Sequence, residues 1–125
     1  MKIIGVGIDL LRIKRLKKIS QIHEKKFLKK ILTVKEKFHY YENTRKINFL
    51  AKSFVIKEAA CKAIGIGMRK GISFKKIEVY NNKFNQPKIR FLKKIFINNI
   101  LLKITKSYVS YTSEKKYVQA IVILK

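Results

Sequence analysis

Between Ile4 and Leu10 the chain alternates large and minimal side chains, with Ile4, Val6, Ile8 and Leu10 on one parity and Gly5, Gly7 and Asp9 on the other. A period of two is the mark of a strand, whose successive side chains point to opposite faces. Residues 2 to 10 therefore read as a buried strand, apolar on one face and bare on the other except for a carboxylate. A face without β-carbons admits another backbone or a ligand at close range. No other stretch constrains the fold as much, because something has to cover those glycines.

Composition gives Asp9 its weight. Lys and Arg total 31 against seven Asp and Glu, a net charge of +24, and Asp9 is the only aspartate. The charge points to a polyanionic partner such as nucleic acid, anionic lipid or an acidic protein. It is spread over every segment, as on a solvated surface, and Lys, Ile and Asn, all residues of A/T-rich codons, are abundant together. A single cysteine, Cys61, excludes an internal disulfide. His23 and His39 are too few for a zinc site and read as surface residues, so any metal is expected to be hard and oxygen-bound. A length of 125 residues suits one domain, residues 1–125, whose cleft is shallow or shared between subunits. No apolar run reaches membrane-spanning length and the start meets Asp9 too early for a secretory signal, so a cytoplasmic protein is expected.

The pattern predicts an α+β fold with a mainly antiparallel sheet packed against one long helix and several short ones. Leu11 to Ile19 has helical spacing with a basic outer face that includes Arg12, Arg15 and Lys18. Thr33-Val34-Lys35-Glu36 is a capping box opening a helix through about Tyr41. The strongest helix runs from about Ile47 to Ile64 and stops at Gly65. Gly65, Gly67 and Gly71 form a flexible loop. Strands are expected over Lys76 to Tyr80 and Lys88 to Phe91, with turns at Asn81-Asn82 and Pro87. Lys93 to Thr105 reads as a helix despite its β-branched residues. Ser107 to Thr112 and Tyr117 to Leu124 read as a closing hairpin around Ser113-Glu114-Lys115-Lys116.

Three places can carry chemistry. Asp9 either caps the helix that follows or serves a ligand, and the two uses are compatible. On the long helix, Phe54, Glu58, Cys61, Lys62 and Gly65 share a face, which embeds a carboxylate and an ammonium among core-facing residues. Taken alone, Glu58 and Lys62 read first as a surface i,i+4 pair, but Ala59, Ala60 and Ala63 beside them permit a close approach. Cys61 is a packing residue. In the hairpin, Ser110 and Thr112 share a face from which their hydroxyls can meet phosphate oxygens.

In this order the segments resemble the holo-[acyl-carrier-protein] synthase family of phosphopantetheinyl transferases. The matching stretches are Gly5-Val6-Gly7-Ile8-Asp9, Phe49 to Ala63 around Lys57-Glu58-Ala59, Gly65 to Phe74, and Val109-Ser110-Tyr111-Thr112. The resemblance covers nearly the whole chain and implies a trimer with an active site at each subunit interface. It makes Asp9 and Glu58 the Mg²⁺ ligands and sets Lys62 against the phosphates of coenzyme A. Gly65 and the loop to Ser73, Pro87, Ser110 and Thr112 then line the nucleotide site. The implied reaction moves 4′-phosphopantetheine from coenzyme A to a serine of apo acyl carrier protein, in support of fatty acid biosynthesis, with Glu58 accepting the serine proton directly or through a metal-bound water. Arg12, Lys14, Arg15 and Lys18 resemble the family's docking surface for the acidic carrier.

Three positions depart from the family pattern. Ser53 replaces a basic residue, leaving its phosphate contact missing or supplied by Lys52; Ser113 replaces a histidine or acid; Asn85-Gln86-Pro87 replaces a glycine-lysine-proline turn. The charge alone favours a competing class, a small basic nucleic-acid-binding protein. The chain lacks a glycine-aromatic RNA-binding signature, a zinc finger and helix-turn-helix spacing, so no specific nucleic acid is expected.

Overall fold

The computed structural model describes residues 2–65 and 73–125. Its central feature is a three-stranded antiparallel sheet in the order β1-β7-β6, built from β1 (Gly5–Arg12), β7 (Tyr117–Leu124) and β6 (Ser107–Ser113). The register places Asp9 opposite Ala120, and Ala120 opposite Tyr111. Alternation then assigns Gly5, Gly7, Asp9 and Leu11 to one face, together with Val118, Ala120, Val122 and Leu124, all four of which are buried.

The helix α3 (Lys46–Ile64) lies across that face, and the glycines decide how closely. A β-carbon on Gly5 would stand 1.7 Å from the Ala63 carbonyl oxygen, and one on Gly7 would stand 1.8 Å from that of Ala59. The glycine face of the strand is thus the buried one, covered by the backbone of α3. Its apolar face is turned outward, with Val6, Ile8 and Leu10 at 54%, 53% and 60% exposure, so the strand expected to be buried is buried on its glycine face only. Only the glycine side can admit a helix backbone, so the large side chains are left on the far side of the sheet. The helix itself is buried nearly all round, with Leu50, Ala51, Val55, Ile56, Ala59, Ala60 and Cys61 inaccessible. It ends at Gly65 in the left-handed conformation (φ 94°), the expected stop.

Strand β1 runs on through Arg12, so the first helix, α1 (Ile13–Ile31), starts later and extends further than its pattern suggested. A break in helical geometry at His23 divides it. Its N-cap is Arg12, which makes no side-chain capping bond, so Asp9 caps no helix. Helix α2 (Val34–Glu42) opens on the capping box read from the sequence, with the Thr33 hydroxyl accepting from the Glu36 amide and the Glu36 carboxylate accepting from the Thr33 amide.

After a 3-10 turn at Phe74–Lys76, β2 (Ile77–Asn81) pairs with β3 (Pro87–Phe91). Pro87 opens β3 and does not sit in the turn. The helix expected over Lys93 to Thr105 is absent: β4 (Ile95–Ile97) and β5 (Ile100–Leu102) form a hairpin there. Asn98 and Asn99 hold its turn at φ 50° and 64°, the paired positive angles of a tight hairpin, and the isoleucines on either side favour strand over helix. The closing β6–β7 hairpin stands as expected. Among the described residues no helix is long and apolar enough to cross a membrane.

Candidate active site

Close packing of α3 on β1 brings together side chains that are 49 or more positions apart in sequence. Asp9 projects from β1 toward α3, where Lys62 donates to its Oδ1 at 2.9 Å. The Asp9 side chain is 16% exposed and that of Lys62 51%, so this ion pair sits at a rim and its ammonium is open to solvent. Lys62 is therefore not embedded among core residues as the helical face had suggested. Glu58, one turn before it, is half-buried. Its carboxyl is pushed above the usual carboxylate range, first by burial and then by the negative charge of Asp9, with Lys62 pulling the other way. Two carboxylates thus feel each other across the β1–α3 seam while sharing one nearby ammonium.

This donor set fits Mg²⁺. Both groups are hard oxygen ligands, the Asp9 and Glu58 charges repel in the absence of a cation, and the rim is open to further oxygen ligands. Among the described residues no cluster of three or more Asp, Glu, His or Cys is present, so a closed protein cage is not on offer. Cys61 takes no part: it is fully buried, and burial, with Glu58 adding to it, pushes its thiol up to about 12.

At the opposite edge of the sheet a cavity of about 750 Å³ opens between α2, α3, β6 and the β2–β3 hairpin. Arg45, Lys52 and Arg90 line it, with the Tyr80 and Tyr111 rings and Ser53. Lys52 donates to Asn81 Oδ1 at 3.0 Å and lies 5.1 Å from the centroid of the Tyr111 ring; burial lowers its pKa. The Arg90 guanidinium stacks 4.2 Å over Tyr80 and its Nε pairs with Glu78 at 3.2 Å. Ser113 is also on the cavity wall.

The remaining expected site residues divide. Gly65 closes α3 three residues after Lys62, and the Gly65 to Ser73 loop otherwise falls outside the described residues at 66–72. Pro87 pairs with Asn81, a cavity residue. Ser110 and Thr112 are exposed on the outer face of the sheet, in register with Ile121 and Gln119, and so lie on the opposite side from Asp9. Within one chain they do not join the acid pair. Arg12, Lys14, Arg15 and Lys18 are all exposed around the start of α1. Sequence reasoning missed Arg90 and the two tyrosines of the cavity. Isolated aromatic and basic residues on short strands carry no periodic signal, and only the fold gathers them.

Comparison with known proteins gives the family. Residues 5–122 match the family model of the 4′-phosphopantetheinyl transferase superfamily. The chain is 44% identical over 124 residues to a holo-[acyl-carrier-protein] synthase of Buchnera aphidicola from Schizaphis graminum, covering 99% of this chain and 98% of the relative. Its fold is similar to the crystal structure of the same kind of synthase from Neisseria meningitidis, with a TM-score of 0.86, 25% identity and 99% of each chain covered. It is also similar to the Bacillus anthracis protein in complex with coenzyme A (3′,5′-ADP), with a TM-score of 0.81, 30% identity and coverage of 98% and 96%. With family match, fold and near full-length likeness in accord, the chain belongs to the 4′-phosphopantetheinyl transferase superfamily, among its holo-[acyl-carrier-protein] synthases, and is a phosphopantetheinyl transferase.

Proposed function

We propose that the chain, acting as one transferase domain in the cytoplasm, transfers 4′-phosphopantetheine from coenzyme A to a serine of apo acyl carrier protein with Mg²⁺. The observation that carries this reading is the meeting of Asp9, Glu58 and Lys62 on one open rim. Asp9 and Glu58 would hold the ion. Mg²⁺, when bound, supplies positive charge against the pyrophosphate. Lys62, with its ammonium in solvent, is free to turn from Asp9 to a phosphate oxygen. Glu58 accepts the proton of the serine hydroxyl as its oxygen bonds to the β-phosphorus. The P–O bond to the α-phosphate breaks, and adenosine 3′,5′-bisphosphate departs. The product serves fatty acid biosynthesis.

The cavity beside Lys52 and Arg90 has the size and character for the nucleotide, with cations for phosphates and tyrosine rings for a base. It lies at the β6 edge of the sheet, whereas the acid pair lies at the β1 edge. A second copy could therefore complete the site across an interface. The exposed stripe of Val6, Ile8, Leu10 and Ile121 supports such an assembly, taken here as a trimer, because an apolar sheet face of this kind is ordinarily covered.

The test is incubation with coenzyme A, Mg²⁺ and apo carrier, followed by mass spectrometry of the carrier. Modified carrier is expected from the unaltered protein and none from Asp9→Ala or Glu58→Ala. Failure of the unaltered protein rejects the reaction. Near-normal turnover of either variant at limiting Mg²⁺ rejects the site.

A further inference from the structure

Lys57 precedes Glu58 on α3, but its side chain points inward and is wholly buried. Its ammonium forms an ion pair with Glu36 Oε1 and donates to the Ile31 carbonyl at 2.7 Å. Glu36 accepts in turn from the Thr33 amide at 2.9 Å and, through Oε2, from the Val79 amide at 2.7 Å. One ammonium and one carboxylate thereby key together the end of α1, the cap of α2, α3 and β2. The connection continues outward, since the Thr33 hydroxyl donates to Glu78 Oε2 at 3.4 Å and Glu78 Oε1 pairs with Arg90 at 3.2 Å. Glu78, Tyr80 and Arg90 line the 750 Å³ cavity from the β2–β3 hairpin, Lys52 and Ser53 from α3, and Glu36 with its α2 neighbours from a third side.

Burying two charges is expensive, and well-packed apolar side chains hold a core at least as firmly, so stability alone does not account for such a pair. Its directional bonds do something apolar packing cannot: they fix the β2 backbone at a set distance from α3. We propose that Lys57 and Glu36 are a positioning pair that sets the separation of the β2–β3 and α3 sides of the cavity and with it the affinity for coenzyme A. The proposal rests on the cavity being the nucleotide site. Lys57 does not line the cavity; Glu36 borders it but is almost wholly buried and commits its carboxylate to Lys57, Thr33 and Val79, so the pair acts through Val79, Glu78 and Arg90.

The test uses the full chain in three forms: unaltered, Glu36→Asp, and the double variant Lys57→Met with Glu36→Gln. Aspartate keeps the charge but draws the carboxylate back by one methylene from the Val79 amide. The double variant removes both charges and leaves an amide oxygen for Val79. Both are expected to melt cooperatively, with KM and dissociation constant for coenzyme A raised about tenfold and kcat within about twofold, the pattern of lost uniform binding. The KM for carrier protein should not move, which a general loosening of the fold would not achieve. Folded variants with coenzyme A affinity within about twofold of the unaltered protein overturn the proposal. So does a fall in kcat at constant KM. If the double variant does not fold, Glu36→Asp decides in the same terms. An unaltered protein that neither binds coenzyme A nor modifies carrier rejects the functional reading itself, which is a separate result.

Discussion

Gly7 lies beneath the Ala59 carbonyl of α3 so closely that a β-carbon on it would stand 1.8 Å from that oxygen. Nothing flexible can yield, because the opposing atom belongs to a helix backbone. Gly7→Ala must push α3 away from β1, and the same movement separates Asp9 from Glu58 and Lys62. The expected result is a loss of about 3 kcal/mol in unfolding free energy by denaturant titration, with transfer falling more steeply than the folded fraction. A variant that keeps stability and rate would show that this approach does not position the acid pair.

Lys62 holds Asp9 at 2.9 Å, and this sets up two opposed effects of removing it. In Lys62→Met, Mg²⁺ alone should bind Asp9 and Glu58 about two- to fivefold more tightly by calorimetry, since a competing cation at a half-exposed rim is gone. Transfer should drop at least about 100-fold, because a phosphate loses its ammonium. Weaker Mg²⁺ binding would contradict the pairing, and unchanged transfer would remove Lys62 from the chemistry.

The Cys61 thiol, ordinarily near 9.0, is pushed up to about 12 by burial and by the charge of Glu58. Below pH 9 the folded and unfolded chains both keep that proton. Between 9 and 12 the unfolded chain releases it while the folded chain retains it, so its contribution to stability is fully present below 9 and is lost as pH rises toward 12. The stability difference between the unaltered protein and Cys61→Ala should be flat up to about pH 9 and should fall by about 1 kcal/mol or more at a pH near 10.5. A flat difference throughout would contradict the shift. Iodoacetamide should label Cys61 only after denaturation, since no thiolate is offered at the surface.

Much of this architecture was legible because it rests on local rules. The Thr33–Glu36 box, the Gly65 stop and the β6–β7 hairpin each depend on residues a few positions apart. Helical spacing and rarity make Asp9, Glu58 and Lys62 candidates, and only the family resemblance gives them a joint role. What escaped depends on distant partners. Which face of β1 is buried is decided by α3 and not by hydrophobicity, so a strand that reads as buried keeps its apolar stripe outside. Lys57, a cation in the middle of a helix, reads as surface until Glu36 is brought to it from another element.

The Lys93 to Thr105 stretch misled for a different reason: apolar residues at 95–97 and 100–102 satisfy a helical period and a hairpin equally. Asn98 and Asn99 break the tie through their positive φ angles. Asn99→Gly should therefore leave the melting temperature unchanged or raise it slightly. Asn99→Val should cost about 1–2 kcal/mol, because a β-branched residue is strained in the left-handed region. If valine is tolerated, the turn is not the one described.

Carrier docking separates selected charge from background. Arg12, Lys14, Arg15 and Lys18 are exposed around the start of α1, while Ile13 and Leu16 between them are buried, so the cations are held in a fixed outward array. An acidic carrier meeting this array gains mainly in encounter rate, and salt screens that gain over about 10 Å at 0.1 M. Reversing Arg15→Glu and Lys18→Glu together should raise KM for the carrier at least about tenfold, leave KM for coenzyme A unchanged, and flatten the salt dependence of transfer. Reversing Lys103 and Lys106, both exposed near the Leu124 end of the sheet whereas α1 starts at its Tyr117 end, changes net charge by the same amount away from the start of α1. If that control raises the carrier KM equally, the docking surface is the whole cationic shell and α1 is only part of it. An effect confined to the α1 pair assigns docking to the first helix.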